Sequence, residues 1–148
     1  MLNLEMISLN IEHVRLEGLN EVADQIISFA SDIDVWIFEG DMGAGKTTII
    51  KEICKKFDII DNVSSPTFSI VNEYIDTKEE SYYHFDFYRI EEEKEALDIG
   101  CDEYFYSGHR CFIEWPTKVF NLLPENRVDI KISIVDEFTR SINIIKHV

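Results

Sequence analysis

Lys46 and Thr47 close the run Gly40-Asp41-Met42-Gly43-Ala44-Gly45-Lys46-Thr47-Thr48, which has the spacing GxxxxGKS/T. Glycines there permit positive φ and leave no side chain between successive backbone N–H groups and an anion. A lysine at the seventh position of such a loop bridges the β- and γ-phosphates, the next hydroxyl ligates Mg²⁺, and a helix opening at Lys46 turns its positive end toward the ligand. The chemistry implied is triphosphate binding, with Gly40 through Thr48 as the cofactor-binding loop, Lys46 also as a catalytic cation and Thr47 as a metal ligand. Lys46 itself is expected to be solvated and without a part in the fold.

Hydrolysis also needs a carboxylate near the metal and a group that orients water. Two acids at the ends of apolar runs qualify. Glu114 follows Cys111-Phe112-Ile113, as a Walker B acid follows its strand. Asp86 lies in Tyr83-His84-Phe85-Asp86-Phe87-Tyr88-Arg89, where alternation puts His84, Asp86 and Tyr88 on one face. Both are read as catalytic and metal-binding. His84 fits equally a satisfied, partly buried imidazole and a catalytic one. Thr67, in Ser64-Ser65-Pro66-Thr67-Phe68, stands where nucleotide hydrolases carry a mobile sensor of the γ-phosphate, although the same residues also suit a plain turn.

Several elements must position these groups. Val35 to Glu39 is a buried-strand pattern running into the loop, and Thr48 to Phe57 is helical, with Ile49, Ile50, Ile53 and Phe57 on one stripe. Asn20 is placed to cap a helix running to about Ser31, with Val22, Ala23, Ile26, Ile27 and Ala30 inward. Phe68 to Ile75 and Tyr82 to Phe87 predict a hairpin around Asp76-Thr77-Lys78-Glu79-Glu80. Glu91 to Leu97 predicts a helix ending near Gly100, and Arg110 to Trp115 a further strand. Val128, Ile130, Ile132 and Ile134 alternate with polar residues, as do Ile142 and Ile144 beyond a turn at Asp136-Glu137, which predicts an antiparallel pair. The expected fold is α/β, a P-loop NTPase-like domain with a mixed, partly antiparallel sheet flanked by helices. One domain is expected over residues 1–148.

Composition limits the partners. With 45% hydrophobic residues the chain can bury a core, and it has no apolar run of membrane-spanning length or signal-peptide pattern, so no membrane association and a cytoplasmic location are expected. Cys54, Cys101 and Cys111 form no CxxC pair and read as small buried hydrophobes, and the four histidines lack zinc-ligand spacing with them. A net charge of −15 without a basic stripe argues against direct nucleic-acid binding. The acids gathered between Asp76 and Glu103 suit a solvated face or a docking surface for a basic partner.

Taken in order, GDMGAGKTT, SSPTFSIVNEY, YHFDFYRI, EALDIGCDEYF and IEWP closely resemble the bacterial TsaE family, also called YjeE or YdiB, over roughly residues 35 to 127. Members of that family are small cytosolic P-loop ATPases that act with two partner proteins to make N6-threonylcarbamoyladenosine at position 37 of tRNAs reading codons that start with A. The resemblance implies ATP and Mg²⁺ as cofactors, TsaB-like and TsaD-like proteins as partners, and tRNA contacted mainly through them. It also implies Lys46 as phosphate lysine, Thr47 as Mg²⁺ ligand, Glu114 as Walker B acid, Thr67 in a first switch, Asp86 in an HxDxYR second switch, and Trp115 as an aromatic beside the nucleotide. Met42 replaces the usual leucine, and the segment up to Glu21 carries an insertion near Gly18. Two other readings compete: a small-molecule P-loop kinase, which needs a lid bearing arginines, and a nucleotide-dependent switch protein without significant catalysis. A GTPase is disfavoured, since Thr117-Lys118-Val119-Phe120 has phenylalanine where the guanine-reading acid belongs.

Overall fold

The computed structural model describes residues 7–66 and 69–147. Seven strands form one mixed sheet: β1 (Ile7–Val14), β2 (Val35–Glu39), β3 (Val71–Ile75), β4 (Ser81–Asp86), β5 (Arg110–Glu114), β6 (Arg127–Asp136) and β7 (Thr139–His147). Their order is β1-β7-β6-β2-β5-β4-β3. β6, β2, β5 and β4 run parallel, while β1 and β7 at one side and β3 at the other are antiparallel to their neighbours. The expected mixed α/β sheet is therefore present, and so are both expected hairpins.

The pleat sends alternate side chains of the central strands to two cores. Trp36 and Phe38 of β2, Phe112 of β5 and Val128, Ile130 and Ile132 of β6 meet α1 (Leu19–Ala30) and α2 (Lys46–Lys56) on one face. Val35, Ile37, Cys111, Ile113 and Phe85 pack on the other face with Ala96 of α3 (Glu93–Asp98) and Cys101 and Phe105 of α4 (Cys101–Phe105). A continuously apolar strand such as Val-Trp-Ile-Phe is what burial on both faces requires.

One expectation changes, and two elements are added. Asn20 does not cap α1: Gly18 occupies that position, and the Asn20 carboxamide oxygen instead accepts from Lys56 Nζ at 2.6 Å, tying α1 to α2. The helix expected to end near Gly100 is present as α3; Gly100 adopts φ 78° and turns the chain into a second short helix, α4, which was not anticipated. α3 starts at a capping box in which the Glu95 carboxylate accepts from the N–H groups of Glu91 and Glu92. β1 was not anticipated. The three cysteines are free and buried as expected, and burial pushes the Cys54 and Cys111 thiols up to about 12.

Candidate nucleotide site

Because β2, β5 and β4 are parallel, their carboxyl ends lie along one edge of the sheet, the usual place for ligands in open α/β sheets. Register pairs Glu114 with Phe38 on one side and with Asp86 on the other. The loop after β2 thus reaches α2 directly over the two acids. Gly43 (φ 84°) and Gly45 (φ 102°) adopt the left-handed conformations expected of them. Gly40 does not; it is required for a different reason, since a Cβ there would sit 2.7 Å from the Ile132 carbonyl oxygen of β6.

Around this loop lies a cavity of about 230 Å³ lined by Asp41 through Thr48 together with Ser65, Asp86, Glu114 and Trp115. The structure therefore gathers Asp41 through Thr48, Asp86, Glu114 and Trp115 around one cavity, while Gly40 underlies the loop and Thr67 lies outside the described residues. Thr47 Oγ1 donates to both Glu114 oxygens at 3.0 and 3.1 Å and lies 2.8 Å from Ser65 Oγ, which donates to Glu114 Oε2 at 3.1 Å.

Glu114 is 2% exposed, and His84 beneath it is fully buried. His84 Nε2 lies 2.7 Å from Glu114 Oε2, while its Nδ1 is 2.9 Å from the Tyr74 hydroxyl, which donates to the Ser64 carbonyl at 2.8 Å. Both ring nitrogens are engaged, so His84 is a satisfied imidazole that steers the carboxylate from below. Burial alone would raise the Glu114 carboxyl, but the hydrogen bonds from His84, Thr47 and Ser65 outweigh it and hold it below its ordinary value. Asp86 goes the other way: burial raises it, and the neighbouring Glu114 charge adds to that, against a hydrogen bond from the Tyr88 N–H at 2.9 Å. The two acids are thereby differentiated by their surroundings.

Lys46 is not solvated as expected. It is 6% exposed, its ammonium donates to the Gly40 carbonyl, and it lies 3.8 Å from the centre of the Trp115 ring. Burial lowers its pKa, while Glu114, Asp86 and Asp41 pull it back up. Trp115 itself holds φ 55°, a left-handed conformation costing a bulky residue on the order of 1–2 kcal/mol. Pro116 follows it at the start of a 3₁₀ segment, and the Tyr88 ring packs 4.9 Å away. Tyr88 lies past the end of β4 and is 56% exposed, so it does not continue the His84–Asp86 face as alternation implied.

Ser65, Tyr74 and Arg140 were missed from the sequence. Ser65 belongs to the Ser-Ser-Pro-Thr turn, which was its available signal; the loop carbonyls that Arg140 meets are 96 and 97 positions away in the chain and leave none.

Strand, glycine loop, helix and two strand-end acids on a parallel sheet edge define a P-loop α/β fold. The family model described as Threonylcarbamoyl adenosine biosynthesis protein TsaE matches residues 14–142. The chain is 40% identical over 129 residues to the tRNA threonylcarbamoyladenosine biosynthesis protein TsaE of Bacillus subtilis, spanning 87% of this chain and 80% of that protein. To the protein of the same description from Treponema pallidum it is 32% identical over 110 residues, 74% of this chain and 80% of the relative. The crystal structure of Bacillus subtilis YdiB matches with a TM-score of 0.75 at 29% identity, covering 97% of this chain and 88% of that one. The chain belongs to the TsaE family, whose members take part in tRNA threonylcarbamoyladenosine biosynthesis. Among the described residues no helix is long and apolar enough to cross a membrane.

Proposed function

We propose that the chain is a Mg²⁺-dependent ATPase that acts in the cytoplasm with TsaB-like and TsaD-like proteins to modify adenosine 37 of tRNA. The observation that carries the reading is the Thr47 hydroxyl 3.0 Å from the Glu114 carboxylate at the mouth of the glycine loop. A hydroxyl and a carboxylate so placed form one side of a hard-cation site that phosphate oxygens and water complete, as Mg²⁺ prefers. The donor set fits: among the described residues no three His, Cys, Asp or Glu side chains cluster to hold a metal alone, so binding would depend on the nucleotide. With nucleotide bound, Thr47 and Glu114 would hold the ion, and its charge would offset that of the phosphates.

The chain's own groups do the rest. Gly43 to Thr47 present N–H groups at the start of α2, and Lys46, depressed by burial, gains from an anion brought beside it. Trp115, held in its strained conformation, keeps an aromatic face on the lysine and excludes water from that side. Asp86, ionised less readily than Glu114, is assigned to orienting the attacking water and to the metal's outer contacts, with Thr67 as sensor of the γ-phosphate. His84 and Tyr74 connect the Ser64–Ser65 segment to Glu114, which gives any movement of that segment a direct path to the acid.

Two measurements on the isolated chain test the proposal. Phosphate release from ATP is expected to be slow, to require Mg²⁺ and to vanish with a chelator. Filter binding of tRNA at about 0.15 M salt is expected to stay near background, because a surface of net charge −15 repels the phosphate backbone. Release unaffected by chelation would contradict the metal assignment, and tight tRNA binding would contradict the need for partners to carry it.

A further inference from the structure

Arg140 is the second residue of β7, paired by register with Ile134 of β6 and Val14 of β1. From there its guanidinium reaches the glycine loop. Nε donates to the Ala44 carbonyl at 3.0 Å, and one terminal nitrogen donates to the Gly43 carbonyl at 3.2 Å. The other terminal nitrogen donates to the carbonyls of Asp136 at 2.8 Å and Thr139 at 3.1 Å, the residues that end β6 and begin β7. All four acceptors are backbone oxygens, so the planar fork works as a brace between a hairpin and a loop.

What it braces is otherwise soft. Gly43 and Gly45, both left-handed, flank Ala44, and glycine crosses between φ regions with little steric penalty. In a planar trans peptide the C=O of one residue and the N–H of the next point in opposite directions. Holding the Ala44 carbonyl from the β7 side therefore aims the Gly45 N–H away from β7. Holding the Gly43 carbonyl does the same for the Ala44 N–H, which closes a tight turn onto the Asp41 carbonyl at 2.9 Å.

We infer that Arg140 is a positioning residue for phosphate binding: its fork fixes the Gly43-Ala44-Gly45 peptide planes so that the Gly45 N–H faces the polyphosphate. This rests on the nucleotide reading above. A second geometry competes with it, because Arg140 also borders a cavity of about 440 Å³ lined by Arg15, Leu16 and Phe138, where it would instead touch the base or sugar of a nucleotide.

The test uses the full chain as wild type, Arg140→Gln and Arg140→Lys, titrated calorimetrically with ATP and with inorganic tripolyphosphate, each with Mg²⁺. Both variants are expected to bind both probes about tenfold more weakly, while turnover at saturating ATP changes less than about twofold. Lysine is expected to fall with glutamine, since one ammonium cannot span two carbonyls as a fork does. Normal tripolyphosphate affinity with weakened ATP binding places Arg140 against the base or sugar and overturns the inference, as does full retention by Arg140→Lys, which reduces its role to charge. Wild-type chain that binds neither probe overturns the nucleotide reading and this inference with it. Since Arg140 also holds the hairpin, the wild type gives a reading that needs no variant. With ¹⁵N-glycine labelling, the Gly45 amide resonance must move when tripolyphosphate is added, and an unmoved resonance overturns the inference.

Discussion

Lys46→Ala is expected to lower phosphate release from ATP by at least about a hundredfold, the order seen when one preorganised charge donor to a transition state is removed. The effect follows from position, because among the described residues Lys46 is the only ammonium lining the cavity that also holds Thr47, Asp86 and Glu114. It is not a silent change for the fold. The ammonium is packed between the Gly40 carbonyl and the Trp115 ring, so alanine leaves that carbonyl short of a donor and the ring uncovered. A fall of a few degrees in melting temperature is expected beside the lost activity. Lys46→Met keeps the stem against Trp115 while deleting the charge, and it should melt closer to wild type yet hydrolyse no faster than the alanine variant. Phosphate release and thermal melting on both variants check this, and a folded Lys46→Met chain with near-normal hydrolysis would sink the assignment.

The second large effect separates the two acids. Glu114→Gln should lower turnover by about a hundredfold and shift the Mg²⁺ requirement upward, because its carboxylate meets the Thr47 hydroxyl. Asp86→Asn should lower turnover with the Mg²⁺ midpoint nearly unchanged. Mg²⁺ titrations decide, and equal shifts in both variants would refute the division. Glu114 also carries a pH signature. Its folded value lies below the ordinary 4.5, so its stabilising contribution is complete above that value and fades as pH falls through the folded one. Glu114→Gln should therefore melt lower than wild type at neutral pH, and the gap should narrow as pH falls below 4.5.

The elements legible in the sequence were those whose pattern is local. Val35 to Glu39 reads as a strand because both faces are buried, and the C-terminal hairpin because alternation is strict on β6 through Ile132. β1 escaped notice for the opposite reason: as an edge strand it buries only Ile11 and Val14, with a register irregularity between them and His13 at φ 56°. Gly40 was correctly assigned to the loop for the wrong cause, since its close approach to Ile132 depends on the neighbouring strand 92 positions away in the chain. Trp115 came from the family resemblance alone, and no propensity puts a tryptophan at positive φ, where it packs against Lys46 and Tyr88 just before Pro116. His84 was undecidable until Glu114 and Tyr74 were seen on its two nitrogens.

Under the proposed function, a slow nucleotide hydrolase is completed by its partners. The most direct measurement is phosphate release from ATP and Mg²⁺ by the purified chain, alone and with purified TsaB-like and TsaD-like proteins added together. A low rate is expected for the chain alone, a clear rise with the pair, and loss of both rates in Lys46→Met. A rate indifferent to the added proteins, or no release under either condition, would contradict it.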